Sequence, residues 1–133
     1  MTLTGKCLCG NITYKLDITE IPQSVICNCN NCKITTSSCS NNLPVFKNSV
    51  KVTKGSPKIY NDKETSSGQV MYRHFCGDCG TPLWSSPTVE QMAEVAFVKV
   101  GSLDQADQIQ AGSVLFKSRV QNGLLNIEKL AAA

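Results

Sequence analysis

Apolar and polar residues alternate over short stretches of this chain. In "NITYKLDI", Ile12, Tyr14, Leu16 and Ile18 alternate with polar neighbours, the period of a half-buried strand. "FKNSVKVTKG" sets Val50 and Val52 against lysines and stops at Gly55 and Pro57. "QVMYRHFC" predicts a strand running into a C-x-x-C pair, and "PLWSS" a short one after it. "EVAFVKVGSL" is apolar on both faces, which suits a central strand. "GSVLFKSRV" is the last clear strand, and "SVICNC" is a short apolar approach to a cysteine cluster. Helical signals are weak. One turn is expected in "KITTSSCS", a short helix in "PTVEQMAE" and another turn in "LDQADQI". Many short strands punctuated by Gly, Pro and Asn predict a mainly β single domain over residues 1–130. The closing "AAA", 131–133, reads as an expression scar.

Composition narrows the class. A chain of 133 residues with 41% apolar content supports one modest core. The net charge of +3 comes from scattered Lys and Arg with no basic block, so no nucleic-acid footprint is expected. No secretory h-region and no membrane-length apolar run is present, so the expected setting is cytoplasmic, with no membrane partner.

Eight cysteines change the picture. Cys7 and Cys9 form C-x-C, Cys27, Cys29 and Cys32 form C-x-C-x-x-C, and Cys76 and Cys79 form C-x-x-C, while Cys39 stands alone. Steps of two and three residues suit a tetrahedral metal better than long-loop disulfides, and zinc is the expected ion. A structural zinc takes four protein ligands, and a catalytic one takes three and keeps a position for water or substrate. The clustered cysteines divide as one closed set and one open set. Two divisions compete. Cys29, Cys32, Cys76 and Cys79 would form an ordinary ribbon, leaving Cys7, Cys9 and Cys27 over. Alternatively, Cys7 and Cys9 join Cys76 and Cys79, and Cys27, Cys29 and Cys32 hold the open zinc. The second keeps each local cluster whole.

Three blocks, "GKCLCGNITY", "CNCNNCKITTSS" and "RHFCGDCGTPLW", resemble the glutathione-dependent formaldehyde-activating enzyme family, which includes centromere-protein-V-like proteins. The resemblance runs from about Gly5 to Arg119. It implies a β-tent fold of small antiparallel sheets. It also implies the second division, with a structural zinc on Cys7, Cys9, Cys76 and Cys79 and a catalytic zinc on Cys27, Cys29 and Cys32. The implied activity is that of a carbon–sulfur lyase or synthase on a thiol–aldehyde adduct like S-hydroxymethyl-glutathione, with glutathione as co-substrate. Two positions depart from the family's habit. Asn28 stands where His is usual, and "VQNGLL" follows "FKSR" where Trp is frequent.

Three thiolates on Zn²⁺ leave a Lewis acid with one open position, able to ionise a substrate thiol for attack on an aldehyde carbon. Lys33, Arg73 and Lys117 are candidate anion-holding cations, each weighed against ordinary solvated charge. His74, the only histidine, is either a proton shuttle or a surface residue. Strand alternation would put it on one face with Cys76. Cys39 reads as a small buried hydrophobe, with a fourth triad ligand as the alternative. Trp84 and Phe97 read as core, and the asparagines of "CNCNNC" as turn formers. Two rival readings stand beside this one. The first is the same fold acting on an imine or unsaturated carbonyl. The second is a non-catalytic, zinc-braced binding module.

Overall fold

The structure is a computed structural model that describes residues 1–121, 124 and 129–131. Ten strands and one short helix follow in the order β1 (Thr2–Lys6), β2 (Thr13–Asp17), β3 (Ser24–Cys27), α1 (Asn30–Thr36), β4 (Ser40–Phe46), β5 (Val50–Lys54), β6 (Lys58–Asp62), β7 (Met71–Phe75), β8 (Pro82–Pro87), β9 (Val95–Lys99) and β10 (Ala111–Leu115). The fold is mainly β, as its alternation predicts. "PTVEQMAE" and "LDQADQI" form single 3-10 turns, Glu90–Met92 and Ala106–Gln108. Among the described residues no helix is long and apolar enough to cross a membrane.

The strands form two sheets, β1-β2-β5 and β10-β3-β4-β9-β8-β7-β6. β9 lies fourth of seven, the central place its two-sided apolar pattern predicts. All pairings are antiparallel except β10 with β3, so the larger sheet departs from a purely antiparallel one at a single edge. A parallel pair needs a long crossover, and the whole chain between β3 and β10 supplies it.

Period-2 geometry then separates the two faces of the large sheet. Leu43, Trp84, Ala96 and Val98 point to the core and meet Leu3, Tyr14 and Leu16 of the small sheet. The Tyr14 ring meets Trp84 edge-on with centroids 5.5 Å apart, and its hydroxyl shares a 2.6 Å hydrogen bond with Ser102. Gly5 lies opposite Tyr14 in the β1–β2 register, where a Cβ would collide with the phenol ring. Trp84 is core, as expected. The opposite face carries Val25, Cys27, Asn42, Arg73, Ser85, Phe97 and Lys99, and is not sealed by another sheet. It is the floor of a cavity.

Candidate metal centres and their cavity

The first cysteine group is built from two tight turns. Cys7 and Cys9 follow β1, and Cys76 and Cys79 link β7 to β8. Gly10 (φ 76°) and Gly80 (φ 76°) close these turns in the left-handed region that glycine enters without a Cβ penalty. Their N–H groups donate to the Cys7 and Cys76 carbonyls at 3.0 and 2.8 Å. The four Sγ atoms all lie within 4.8 Å of one another. Tetrahedral thiolates on zinc, with Zn–S near 2.3 Å, sit about 3.8 Å apart. Cys7–Cys9 at 3.5 Å and Cys9–Cys76 at 3.8 Å fit that spacing. Cys7 and Cys76 are fully buried, so a metal here would pin the N-terminal strand to the core.

The four thiols ionise unevenly: the Asn11 N–H pulls Cys9 down, but burial and the Cys7, Cys79 and Cys76 thiols outweigh it and push it up to about 12. Hydrogen bonds from the Thr81 side chain and N–H and from the Cys9 N–H pull the Cys79 thiol down to about 5. Burial works against ionising Cys7, but the Ile12 N–H (3.2 Å) and the Cys9 and Cys76 thiols outweigh it and lower its pKa. Among the described residues this group and the triad are the two sets of three or more ligating side chains brought together, and both fit a thiophilic ion such as zinc. The structure brings Cys7 and Cys9 together with Cys76 and Cys79, and Cys27 together with Cys29 and Cys32, and among the described residues it does not bring Cys29 and Cys32 to Cys76 and Cys79.

The triad comes from the junction of β3 and α1. Cys27 is the last residue of β3. Cys29 is the N-cap of α1, and its Sγ accepts from the Cys32 N–H at 3.3 Å. The helix thus begins inside the cysteine motif, where the sequence predicts only a turn after it. Cys32 sits in the first helical turn, so all three thiols converge within 4.8 Å. A hydrogen bond from the Cys32 thiol, aided by the Cys29 N–H and thiol, draws Cys27 down to about 5. The same contact, with burial, drives Cys32 up. Among the described residues no fourth Cys, His, Asp or Glu joins the triad. Cys39 is half-buried and lines a different cavity with Lys6, Leu8 and Thr81, so it supplies no fourth ligand.

The triad opens on a cavity of about 510 Å³. Val70, Met71, Phe97, Leu115 and Phe116 form its apolar wall. Phe97 is a cavity residue rather than core. Phe116 holds a left-handed backbone (φ 54°), uncommon for a bulky residue, and the Arg119 guanidinium lies 4.6 Å from its ring centroid. β10 ends there, earlier than the pattern "GSVLFKSRV" predicts.

Of the three candidate cations, only Arg73 reaches the cavity. Its Nε donates to Asp62 Oδ2 at 2.7 Å, and Asn31 Nδ2 donates to the same oxygen at 2.9 Å. Burial alone would raise the Asp62 pKa, but Arg73 and Asn31 outweigh it and hold the carboxylate below its usual range. Lys33 instead donates to the Arg119 carbonyl at 3.0 Å, and Lys117 does not line the cavity. Asn28 is 2% exposed and does not line it either. Its N–H and Nδ2 both donate to the Leu115 carbonyl, at 3.1 and 3.2 Å, fastening β10 to β3. His74 projects from the other face of β7. A bulge between His74 and Phe75 interrupts the alternation that would align it with Cys76, and it stacks on Trp84 with centroids 4.8 Å apart. Burial lowers its pKa, and it faces a cavity separate from the triad.

Sequence reasoning missed Lys99. It is 8% exposed, and its Nζ donates to Ser40 Oγ at 2.8 Å and Asn42 Oδ1 at 2.7 Å. Burial lowers its pKa to about 8, with the nearby cysteines acting in the opposite direction. A lone lysine within the apolar "AFVKV" was the available signal.

The family model described as glutathione-dependent formaldehyde-activating enzyme matches residues 2–119. The chain belongs to this family. Both cysteine groups and the cavity floor fall inside the stretch that the glutathione-dependent formaldehyde-activating enzyme model covers. No curated protein matches the chain. Among solved structures, the crystal structure of a Rhodobacter sphaeroides protein is similar, with a TM-score of 0.63 at 16% identity, covering 84% of this chain and 98% of that one. At that identity the likeness concerns the fold.

Proposed function

We propose that this protein is a zinc-dependent carbon–sulfur lyase, or synthase in reverse, acting on a thiol–aldehyde adduct. In this reading Cys27, Cys29 and Cys32 hold the catalytic zinc, and Cys7, Cys9, Cys76 and Cys79 hold a structural one. The observation that carries it is a three-thiol set, lacking a fourth side-chain ligand among the described residues, that opens on a 510 Å³ cavity. A zinc ion there supplies a Lewis acid with one open position, which favours the ionised form of a substrate thiol. Cys29 and Cys32 are fixed for this by the helix cap, and Cys27 by its strand. Phe97, Leu115 and Phe116 give the cavity an apolar wall beside the triad. Arg73, held by Asp62, keeps both terminal amino groups without a hydrogen bond to the described residues, so they are available to an oxygen of the substrate. In the lyase direction the C–S bond breaks and its electron pair stays on sulfur. The hydroxyl proton is released and the carbonyl forms.

Glutathione is the thiol that the family description suggests. The apolar wall supports a second reading, in which the same centre acts on another small electrophile such as an imine or unsaturated carbonyl. All eight cysteines are free, which fits a reducing compartment such as the cytoplasm. Two-dimensional exchange NMR on zinc-loaded protein with formaldehyde and glutathione tests the first reading. Adduct exchange accelerated by the parent and not by Cys29→Ser supports it. No acceleration with any aldehyde and thiol pair defeats it.

A further inference from the structure

Lys99 is a nine-tenths buried cation with no carboxylate partner among the described residues. Lysine is almost never buried so deeply unless paired. Its two acceptors, Ser40 Oγ and Asn42 Oδ1, are neutral, and the Ser40 hydroxyl is itself committed as a donor to Asn42 Oδ1 at 2.7 Å. An ammonium has three donors, so one remains. The register of the sheet says where the charge lies. Ser40 pairs with Cys27 across β3 and β4, and Asn42 pairs with Lys99 across β4 and β9. Lys99 and all three triad cysteines line the same cavity.

Three thiolates around a divalent ion carry net charge −1, and an added thiolate makes −2, beside an apolar wall. Such a centre needs a fixed positive charge to accept an anionic ligand; of the other cations that line the cavity, Arg73 is paired with Asp62 at 2.7 Å and Arg119 lies over the Phe116 ring. We propose that Lys99 is the built-in counter-charge of the Cys27–Cys29–Cys32 centre and sets it to take an anionic sulfur ligand at its fourth position. Lys99 acts through the metal centre, so it is a positioning residue. The assignment rests on the reading of the triad as an open metal site.

The test uses full-length protein loaded with Co²⁺, whose thiolate charge-transfer absorption reports the ligand set. Parent, Lys99→Met, Lys99→Gln and Lys99→Arg are titrated with 2-mercaptoethanol and, separately, with imidazole as a neutral ligand. Losing one charge-assisted interaction typically costs about 10–100-fold in affinity. Lys99→Met should lose thiol affinity by that factor, keep imidazole affinity, and be rescued by Lys99→Arg. Lys99→Gln retains polar contact with Ser40 and Asn42 and reads the same loss if the Met variant does not fold. Thiol affinity within twofold of the parent in either neutral variant overturns the assignment, as does equal loss for thiol and imidazole. Failed adduct exchange with intact Lys99-dependent thiol binding would instead count against the lyase reading and leave Lys99 in place.

Discussion

Asp62 is the buried support between the helix of the triad and the strand that carries Arg73. Its Oδ2 accepts from Arg73 Nε at 2.7 Å and from Asn31 Nδ2 at 2.9 Å, and its Oδ1 accepts from the Glu64 N–H at 3.1 Å. Asp62→Ala strands the guanidinium and the Glu64 N–H, while Asn31 keeps its bond to the Glu64 carbonyl at 2.8 Å. A hydrogen bond to a charged group contributes about 1.5–3 kcal/mol, and two such bonds are stranded, so the loss at the low end of that range is about 3 kcal/mol. Unfolding entropy near 2.1 cal/mol/K per residue gives roughly 0.28 kcal/mol/K for this chain. The melting temperature of the zinc-loaded variant at pH 7 should therefore fall by about 10 °C. The pH dependence has a definite sign. The folded pKa of Asp62 is lowered, so its stabilisation is complete above the ordinary carboxylate pKa and is lost as pH falls through the folded value. Both proteins weaken in acid as thiols protonate, but the gap between them should narrow below about pH 4. Circular dichroism melts measure the first effect and urea titrations at several pH values the second. A fall of less than 3 °C, or a gap that widens in acid, would refute the argument.

Three further outcomes are expected. Cys76→Ser removes a fully buried ligand of the four-thiol group. Structural zinc contributes on the order of 10 kcal/mol, comparable to the whole stability of a domain, so the variant should lose one metal equivalent and unfold; a folded variant with full metal content would exclude the structural assignment. Cys29→Ser should keep the fold, with a melting temperature within a few degrees of the parent, yet lose its second metal equivalent and its adduct exchange; retained turnover would remove the triad from the chemistry. Asn28→Ala deletes the Nδ2 bond to Leu115 while the backbone bond remains. It should cost about 1 kcal/mol and weaken thiol binding through the Leu115–Phe116 wall, and amide hydrogen exchange at β10 should rise first. Unchanged protection there would show that Asn28 does not hold the strand.

Much of the fold is legible in strand periodicity. β2, β5, β7, β8 and β9 carry clean alternation or two-sided apolar runs, and each forms where its pattern predicts. β4 and β6 were hidden for opposite reasons. β4 opens with "SNN" because Ser40 and Asn42 hold the Lys99 ammonium, so polar residues stand where an apolar signal would be. β6 is an edge strand, exposed at every residue but Asp62, and has no core face to advertise. β1 lost its signal at Gly5, the residue that makes room for Tyr14. At the site, spacing alone left two cysteine divisions open, because proximity between Cys9 and Cys76 is a long-range fact of topology. Arg73 and Lys33 look alike in sequence. Only the faces of their elements separate a cavity cation from one tied to a backbone carbonyl.

The central claim is an open three-thiol metal centre that takes a thiol. X-ray absorption at the zinc edge tests it most directly. With a closed four-thiolate site and an open three-thiolate site, the average should be about 3.5 sulfurs per zinc at near 2.3 Å. Adding saturating 2-mercaptoethanol should raise this to about 4 sulfurs with no change in metal content. Four sulfurs per zinc before any thiol is added, or an average that the thiol leaves unmoved, would contradict the account.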